Sequence, residues 1–328
     1  MRSLLELILS IRLKSFKSNT CTSGFTLIEL LVAMVMAALI ITPLMTFMID
    51  ILQTDRKEAA KSDTEQEMQT AYDYIARDLQ QALYIYDADG ITRDYNSTTP
   101  TLSGIRRQIP PEKPAPGCND AATCQPILVF WKREFRPGSV NVVSTTDKND
   151  GFAYSLVAYY LVTNPANATN STWSPSARIG RFQIKGPINI AGANTTGDDA
   201  ADVGFNRPPL DSSISGAKLK EKMNQWQAGT GTYAQPVVTL VDYVYNFPGT
   251  TTNSFQACAA PRAVGSHTSG FYACVDADEV VAQVFLRGNS YVRLYNKNNI
   301  AYNPSDNNSS YFPAVSGRIQ GRGFLFTK

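Results

Sequence analysis

The chain has 328 residues, enough for one large domain or two ordinary ones, and its 43% of hydrophobic residues can bury a sizeable core, which excludes a wholly disordered polymer. Charged residues make up 18%, and 30 Lys plus Arg against 28 Asp plus Glu leave a net charge of +2, too small and too scattered for a nucleic-acid-binding footprint. The mean hydropathy of −0.19 excludes a polytopic membrane protein and leaves room for one span.

The span is near the N-terminus. Leu30 to Ile49 runs for twenty residues without a charge, and a helix of that length covers roughly 30 Å, the thickness of a bilayer's hydrocarbon core. A core helix of a globular domain is seldom apolar on every side for so long. Ahead of it lie Arg2, Arg12, Lys14 and Lys17, opposed only by Glu6. That flank keeps the N-terminus cytoplasmic and sends the C-terminal bulk across the membrane. No Ala-x-Ala cleavage site follows the run, where the residues are Asp50 to Arg56. The processing site precedes the run, at Gly24–Phe25, and a cut there leaves the helix attached to the exported domain. Glu29 is out of place in a plain anchor, because a carboxyl entering the apolar layer costs about 2.5–3.5 kcal/mol at a helix centre. After cleavage the α-amino group of Phe25, from the same chain or a neighbour, would be a cation at the same end of the helix. The alternative is that Glu29 lies among lipid headgroups, at little cost.

Gly24-Phe25-Thr26-Leu27-Ile28-Glu29-Leu30-Leu31-Val32-Ala33-Met34, behind a short basic leader, resembles the type IV prepilin and pseudopilin signal. The resemblance implies cleavage by a prepilin peptidase after Gly24 and N-methylation of Phe25. It also implies pairing of Glu29 with the terminal amine of an adjacent subunit as a filament grows.

After a charged stretch from Asp55 to Glu67, apolar positions recur at Met68, Tyr72, Ile75, Leu79, Leu83 and Tyr86, one stripe on a helix face. One helix is expected from about residue 25 to 86, ended by Gly90, with its second half packed on a globular domain and with loosening at Pro43. Beyond Gly90, strands are expected at Ile127–Phe135, Tyr154–Thr163, Arg178–Lys185, Val237–Phe247, Glu279–Arg287, Tyr291–Tyr295 and Arg318–Thr327. The stretch from Gly186 to Pro236 reads as an elaborated surface loop with one short helix near Lys218–Gln227. Helix first and strands after gives an α+β fold, with the stripe covering one face of an antiparallel sheet. The segments are a leader (1–24), a membrane half-helix (25–52), an amphipathic half-helix (53–90) and a β-rich extracytoplasmic domain (91–328).

Of five cysteines, Cys21 leaves with the leader. Cys118, Cys124, Cys258 and Cys274 remain, and of their three connectivities we take the local one, 118–124 and 258–274. No spacing is Cys-x-x-Cys and His267 is the only histidine, so neither zinc nor another cofactor is expected. Removing the leader's four basic residues and one acidic one leaves 26 against 27, close to neutral. No nucleophile–base pair, phosphate loop or His-Glu-x-x-His motif is present, so no enzyme is expected. Asp87–Gly90 and Asp276–Glu279 faintly resemble calcium loops but lack the further ligand spacing and read as turns, although some pseudopilins hold calcium. Trp131, alternating within a strand, reads as core. Trp173 and Trp226, in polar surroundings, are the candidates for stacking on sugar rings.

The length exceeds that of a major subunit. Asp73–Ala82 resembles the helix of the large minor pseudopilins of the type II secretion J class. Tyr84–Asp87, Val129–Arg133, Ser155–Leu161, Phe285–Asn289 and Gln320–Phe326 are similar to the pseudopilins of cyanobacterial hormogonium polysaccharide secretion. That resemblance implies a type IV pilin-like fold and a minor subunit, single-pass in the inner membrane, for polysaccharide export and gliding. Its partners would be other pilins, the prepilin peptidase, the assembly platform and motor, membrane lipid and the exported polymer. Alternatives are a minor pilin for priming or adhesion, a type II secretion component, and a membrane-tethered carbohydrate-binding module.

Overall fold

The computed structural model describes residues 24, 26–141, 148–165, 171–188, 201–210, 218–247, 257–259 and 261–322. The leader before Gly24, Cys21 included, lies outside them, as does Phe25. The chain forms two compact units, residues 1–55 and 56–328.

Helix α1 is Leu27–Gln80, 54 residues long, and belongs to both units. It starts at Thr26, whose carbonyl accepts from the N–H groups of Glu29 (3.0 Å) and Leu30 (3.2 Å). The first unit's share of the helix carries exposed Leu, Ile, Val and Met on every side. It is long and apolar enough to cross a membrane. It continues through Pro43 in a Leu/Met/Ala-rich context, and the hydroxyls of Thr42 and Thr46 donate to the carbonyls of Ala38 (2.8 Å) and Thr42 (3.1 Å). Within the second unit α1 becomes one-sided: Ala60, Thr64, Met68, Ala71, Ile75, Asp78 and Leu79 are buried, a three-to-four spacing that faces the sheet.

The helix stops at Gln80, six residues before the expected end. Ala82–Ile85 is strand β1, buried on both faces. Leu83 and Tyr86 continue the helical spacing, but a short apolar run covered on two sides satisfies strand and helix periodicity alike, and pairing with the neighbouring strand decides. Gly90 therefore does not end α1. It lies in a short helix α2 (Ala88–Thr92), capped by the Asp87 carboxylate, which accepts from the Gly90 N–H at 3.0 Å.

Five strands, β1, β2 (Cys124–Asn141), β3 (Lys148–Val162), β4 (Ala177–Lys185) and β5 (Val238–Val244), form an antiparallel sheet in chain order. A second antiparallel sheet comprises β6 (Ala263–Val264), β7 (Phe271–Asp276), β8 (Val281–Arg287) and β9 (Ala314–Gln320). An isolated bridge, Val244 to Gly288, links the end of β5 to the turn after β8. The α+β expectation holds, with two sheets where one was expected and with β6 and β7 unforeseen. The final strand begins and ends earlier than expected, and residues 323–327 lie outside the described chain. Tyr291–Tyr295 is helical, not a strand: α4 (Ser290–Tyr295) is capped by Asn289, which accepts from Val292 N–H at 3.2 Å, and is closed by Asn296 at φ 51°. Those two asparagines override the strand preference of Tyr and Val.

The first sheet has two covered faces. Lys132 and Arg181 point toward α1, whereas Trp131 and Phe182, one residue removed, point away. The far face is covered by segments of the stretch that reads as a surface loop. Phe205, Trp226 and Tyr233 pack there with ring-centroid distances of 5.9, 5.3 and 5.0 Å to Trp131, Trp131 and Phe182 respectively. Short helix α3 (Leu219–Met223) lies within this layer. Trp226 is thus 1% exposed, its indole N–H donates to the Asn206 carbonyl at 3.0 Å, and it is core rather than a sugar platform. Disulfides Cys118–Cys124 and Cys258–Cys274 are both formed, the local pairing.

Candidate assembly site and the buried ion network

Thr26-Leu27-Ile28-Glu29 has the spacing of a helix capping box, Thr at the cap and Glu three residues on. The Glu29 N–H reaches the Thr26 hydroxyl at 3.4 Å and its carbonyl at 3.0 Å. Glu29 is exposed and sits in the first turn of α1, where a carboxylate meets the positive end of the helix dipole. The Thr-x-x-Glu spacing alone signals this helix start. Gly24 is exposed and precedes the helix, an accessible position for a peptidase. Phe25, the residue expected to be methylated, lies outside the described chain. What the segment offers is one carboxylate at the end of a helix whose flank is otherwise hydrocarbon.

The opposite end of α1 carries a cluster no local motif announces. Asp78, 8% exposed, accepts from Lys132 Nζ (2.9 Å), from Arg181 Nε (2.8 Å) and from the Tyr159 hydroxyl (2.6 Å). Lys132 also pairs with Glu134 at 2.6 Å, and Gln183 joins Glu134 (2.6 Å) to Arg181 (2.8 Å). The last turn of α1 is thereby fastened to β2, β3 and β4. Burial alone would raise the Asp78 carboxyl, but the Arg181 and Lys132 charges with the Tyr159 and Lys132 hydrogen bonds outweigh it and hold the group below the ordinary carboxylate range. Burial likewise opposes Glu134, and the Lys132 hydrogen bond and charge prevail, lowering it. Tyr159 is pushed up by burial and by Asp78. The nearest thing to a sequence signal is Lys132, which directly follows the apolar run Val129-Phe130-Trp131.

A pH dependence follows. Carboxyls lowered on folding contribute stability that is fully present above their unfolded values, about 4. It is lost as pH falls below that toward the folded values. We expect the urea midpoint of the wild-type protein to drop between about pH 5 and pH 3, and Asp78→Asn to flatten the decline. Equal slopes for the two proteins would show that other groups govern acid unfolding.

The remaining candidates are structural. Asp87 caps α2 and pairs with Lys220, and Asp89 pairs with Arg93 at 2.8 Å. Asp276 accepts from Glu279 N–H at 3.2 Å and pairs with Arg262 at 2.7 Å. The two acidic tetrapeptides thus act as caps and ion-pair partners. Trp173 is exposed, as expected.

Residues 20–45 match the description "Prokaryotic N-terminal methylation motif". No curated protein and no solved structure matches the chain. The matched residues span Gly24, Thr26 and Glu29 and run into the apolar half of α1, so the chain carries a type IV pilin-like N-terminal signal on a long helix followed by antiparallel sheets.

Proposed function

We propose that the protein is a minor pilin-like subunit of a pilus-like export machine and acts by assembly, not catalysis. The observation that carries this reading is the methylation motif at residues 20–45, continuous with a 54-residue helix that is apolar and exposed at one end and built into a sheet at the other. In this reading the leader is removed between Gly24 and Phe25 and Phe25 is N-methylated. The apolar half of α1 crosses the inner membrane with the N-terminus cytoplasmic until the subunit is drawn into a filament. Glu29 meets the terminal amine of a neighbouring subunit there, and the sheets and loops face other subunits or cargo. The finer assignment, polysaccharide secretion for hormogonium gliding, is supported by the similarity of the β-strand segments noted above and belongs to the same proposal.

The test is N-terminal analysis of protein isolated from its native host. An N-methylated phenylalanine corresponding to Phe25 is the expected first residue. A chain that begins at Met1, or after the apolar run, would overturn the reading.

A further inference from the structure

We infer that the groove between α1 and the edge strand β5 is a binding site for a neutral polysaccharide chain, with Trp173 as its stacking platform. Asp63, Glu67 and Tyr74 lie along one face of α1 and form one wall, and Asp242 and Tyr243 of β5 line the other. The groove encloses about 550 Å³. From Asp63 to Tyr74 it follows the helix for about 16 Å, a length suited to a linear chain and not to a compact metabolite.

Trp173 and Tyr74 are each 42% exposed. Large rings left in water are ordinarily mobile, but the backbone that carries Trp173 is braced. The Trp173 backbone N–H donates to the Ser171 hydroxyl at 3.1 Å, and Ser171 donates to the Asn164 side-chain carbonyl at 3.2 Å. The next residue, Ser174, donates both its N–H (2.9 Å) and its hydroxyl (2.8 Å) to the Asp242 carboxylate, and its carbonyl accepts from Asn164 at 2.7 Å. The Arg178 guanidinium lies 5.3 Å from the Trp173 ring centre. At the other wall Tyr243, a non-glycine residue, is held at φ 57°, and its ring carries the Arg293 guanidinium at 4.2 Å. Strained and braced backbone that carries exposed aromatics in one groove is the mark of a surface organised before its ligand arrives.

The charges select the ligand. The lining holds three carboxylates, and three guanidiniums lie against its rings, Arg178 on Trp173, Arg181 on Tyr74 at 5.5 Å and Arg293 on Tyr243, so the groove carries no net charge to attract a polyanion such as an acidic glycan or a nucleic acid. It does not attract a strongly cationic partner either, because Glu67 is paired with Arg293 and Asp242 is saturated by Ser174 and the Tyr243 N–H. What remains is aromatic faces beside hydrogen-bond acceptors. A neutral sugar chain supplies both complements, apolar C–H faces for the rings and hydroxyl donors for the Asp63 carboxylate. As cargo recognition this rests on the export reading. As binding it does not, and the assay below needs neither cleavage nor assembly.

The full chain, in a detergent without a sugar headgroup, is run through gels containing hydroxyethylcellulose, dextran, laminarin or polygalacturonate. Trp131 and Trp226 are buried, so acrylamide quenching of fluorescence reports mainly on Trp173. At least one neutral glycan should retard the protein and protect its fluorescence from acrylamide. Trp173→Ala and Tyr74→Ala should each weaken retardation about tenfold with little change in the unfolding midpoint. Retardation by none of the neutral glycans, unchanged binding by Trp173→Ala, or preferential binding of polygalacturonate would each overturn the site. So would a glycan-independent dimer abolished by Trp173→Ala, which would make the groove a contact between copies of the chain.

Discussion

Asp78→Ala should lower the thermal midpoint of the protein by about 6–12 °C, corresponding to a loss of ~3 kcal/mol. The substitution removes the acceptor of three donors at once, Lys132, Arg181 and the Tyr159 hydroxyl. Lys132 remains charged and buried, and Arg181 charged and half-buried. Their remaining partners, Glu134 and Gln183, take up part of that cost, which places the loss at the lower end of the ~3–5 kcal/mol typical of breaking a buried pair. The magnitude is that of uncompensated charge, not of the pair's net worth. A compensated replacement should therefore behave differently: Asp78→Leu with Lys132→Met removes carboxylate and ammonium together and should recover part of the loss. Differential scanning calorimetry of the two variants checks both statements. If the double variant is less stable than Asp78→Ala by the full additive amount, the network holds by its own attraction rather than by mutual compensation.

How much of this could be read from residues alone depended on whether the signal was local. The membrane half of α1 was legible because twenty uncharged residues admit few alternatives, and β2, β3 and β4 were legible because Val, Ile, Phe and Tyr alternate between clear turn residues. The end of α1 was not, because Leu83 and Tyr86 fit a helical stripe and a doubly buried strand equally. Only pairing of Ala82–Ile85 with residues 130–132 of β2 separates the two. Trp226 was misplaced for a related reason: its neighbours Asn224, Gln225 and Gln227 are polar, yet a single large ring is enough to fill the space beside Trp131. The ion network joins residues 54 and 103 positions apart, a pairing that exists only once the sheet has formed. At the start of α1 the methylation motif was legible from the Gly24–Met34 segment, and the Thr26–Glu29 spacing marks where the helix begins.

Glu29→Ala should leave leader cleavage intact and cut incorporation into filaments by about a thousandfold, measured as the ratio of subunit in sheared filaments to subunit in membranes. The proposed cut precedes α1, and Glu29 lies within the first turn of that helix. Incorporation loses an ion pair in a poorly hydrated setting, where two unit charges about 4 Å apart are worth ~4 kcal/mol at an effective dielectric constant of ~20, and ~1.4 kcal/mol is tenfold. A helix-end effect has to be separated from the proposed intersubunit one, because Glu29 lies in the first turn of α1. Its favourable interaction with the helix dipole is worth only ~0.3–1 kcal/mol, and Gln at the same position keeps the residue pattern of a capping box without the charge. Glu29→Gln should therefore be nearly as defective as Glu29→Ala if the carboxylate meets a neighbour's ammonium, and close to wild type if it serves only the cap. Wild-type incorporation of Glu29→Ala would remove the intersubunit role altogether. Normal incorporation of Glu29→Gln beside a defective Glu29→Ala would reduce Glu29 to a helix-capping residue.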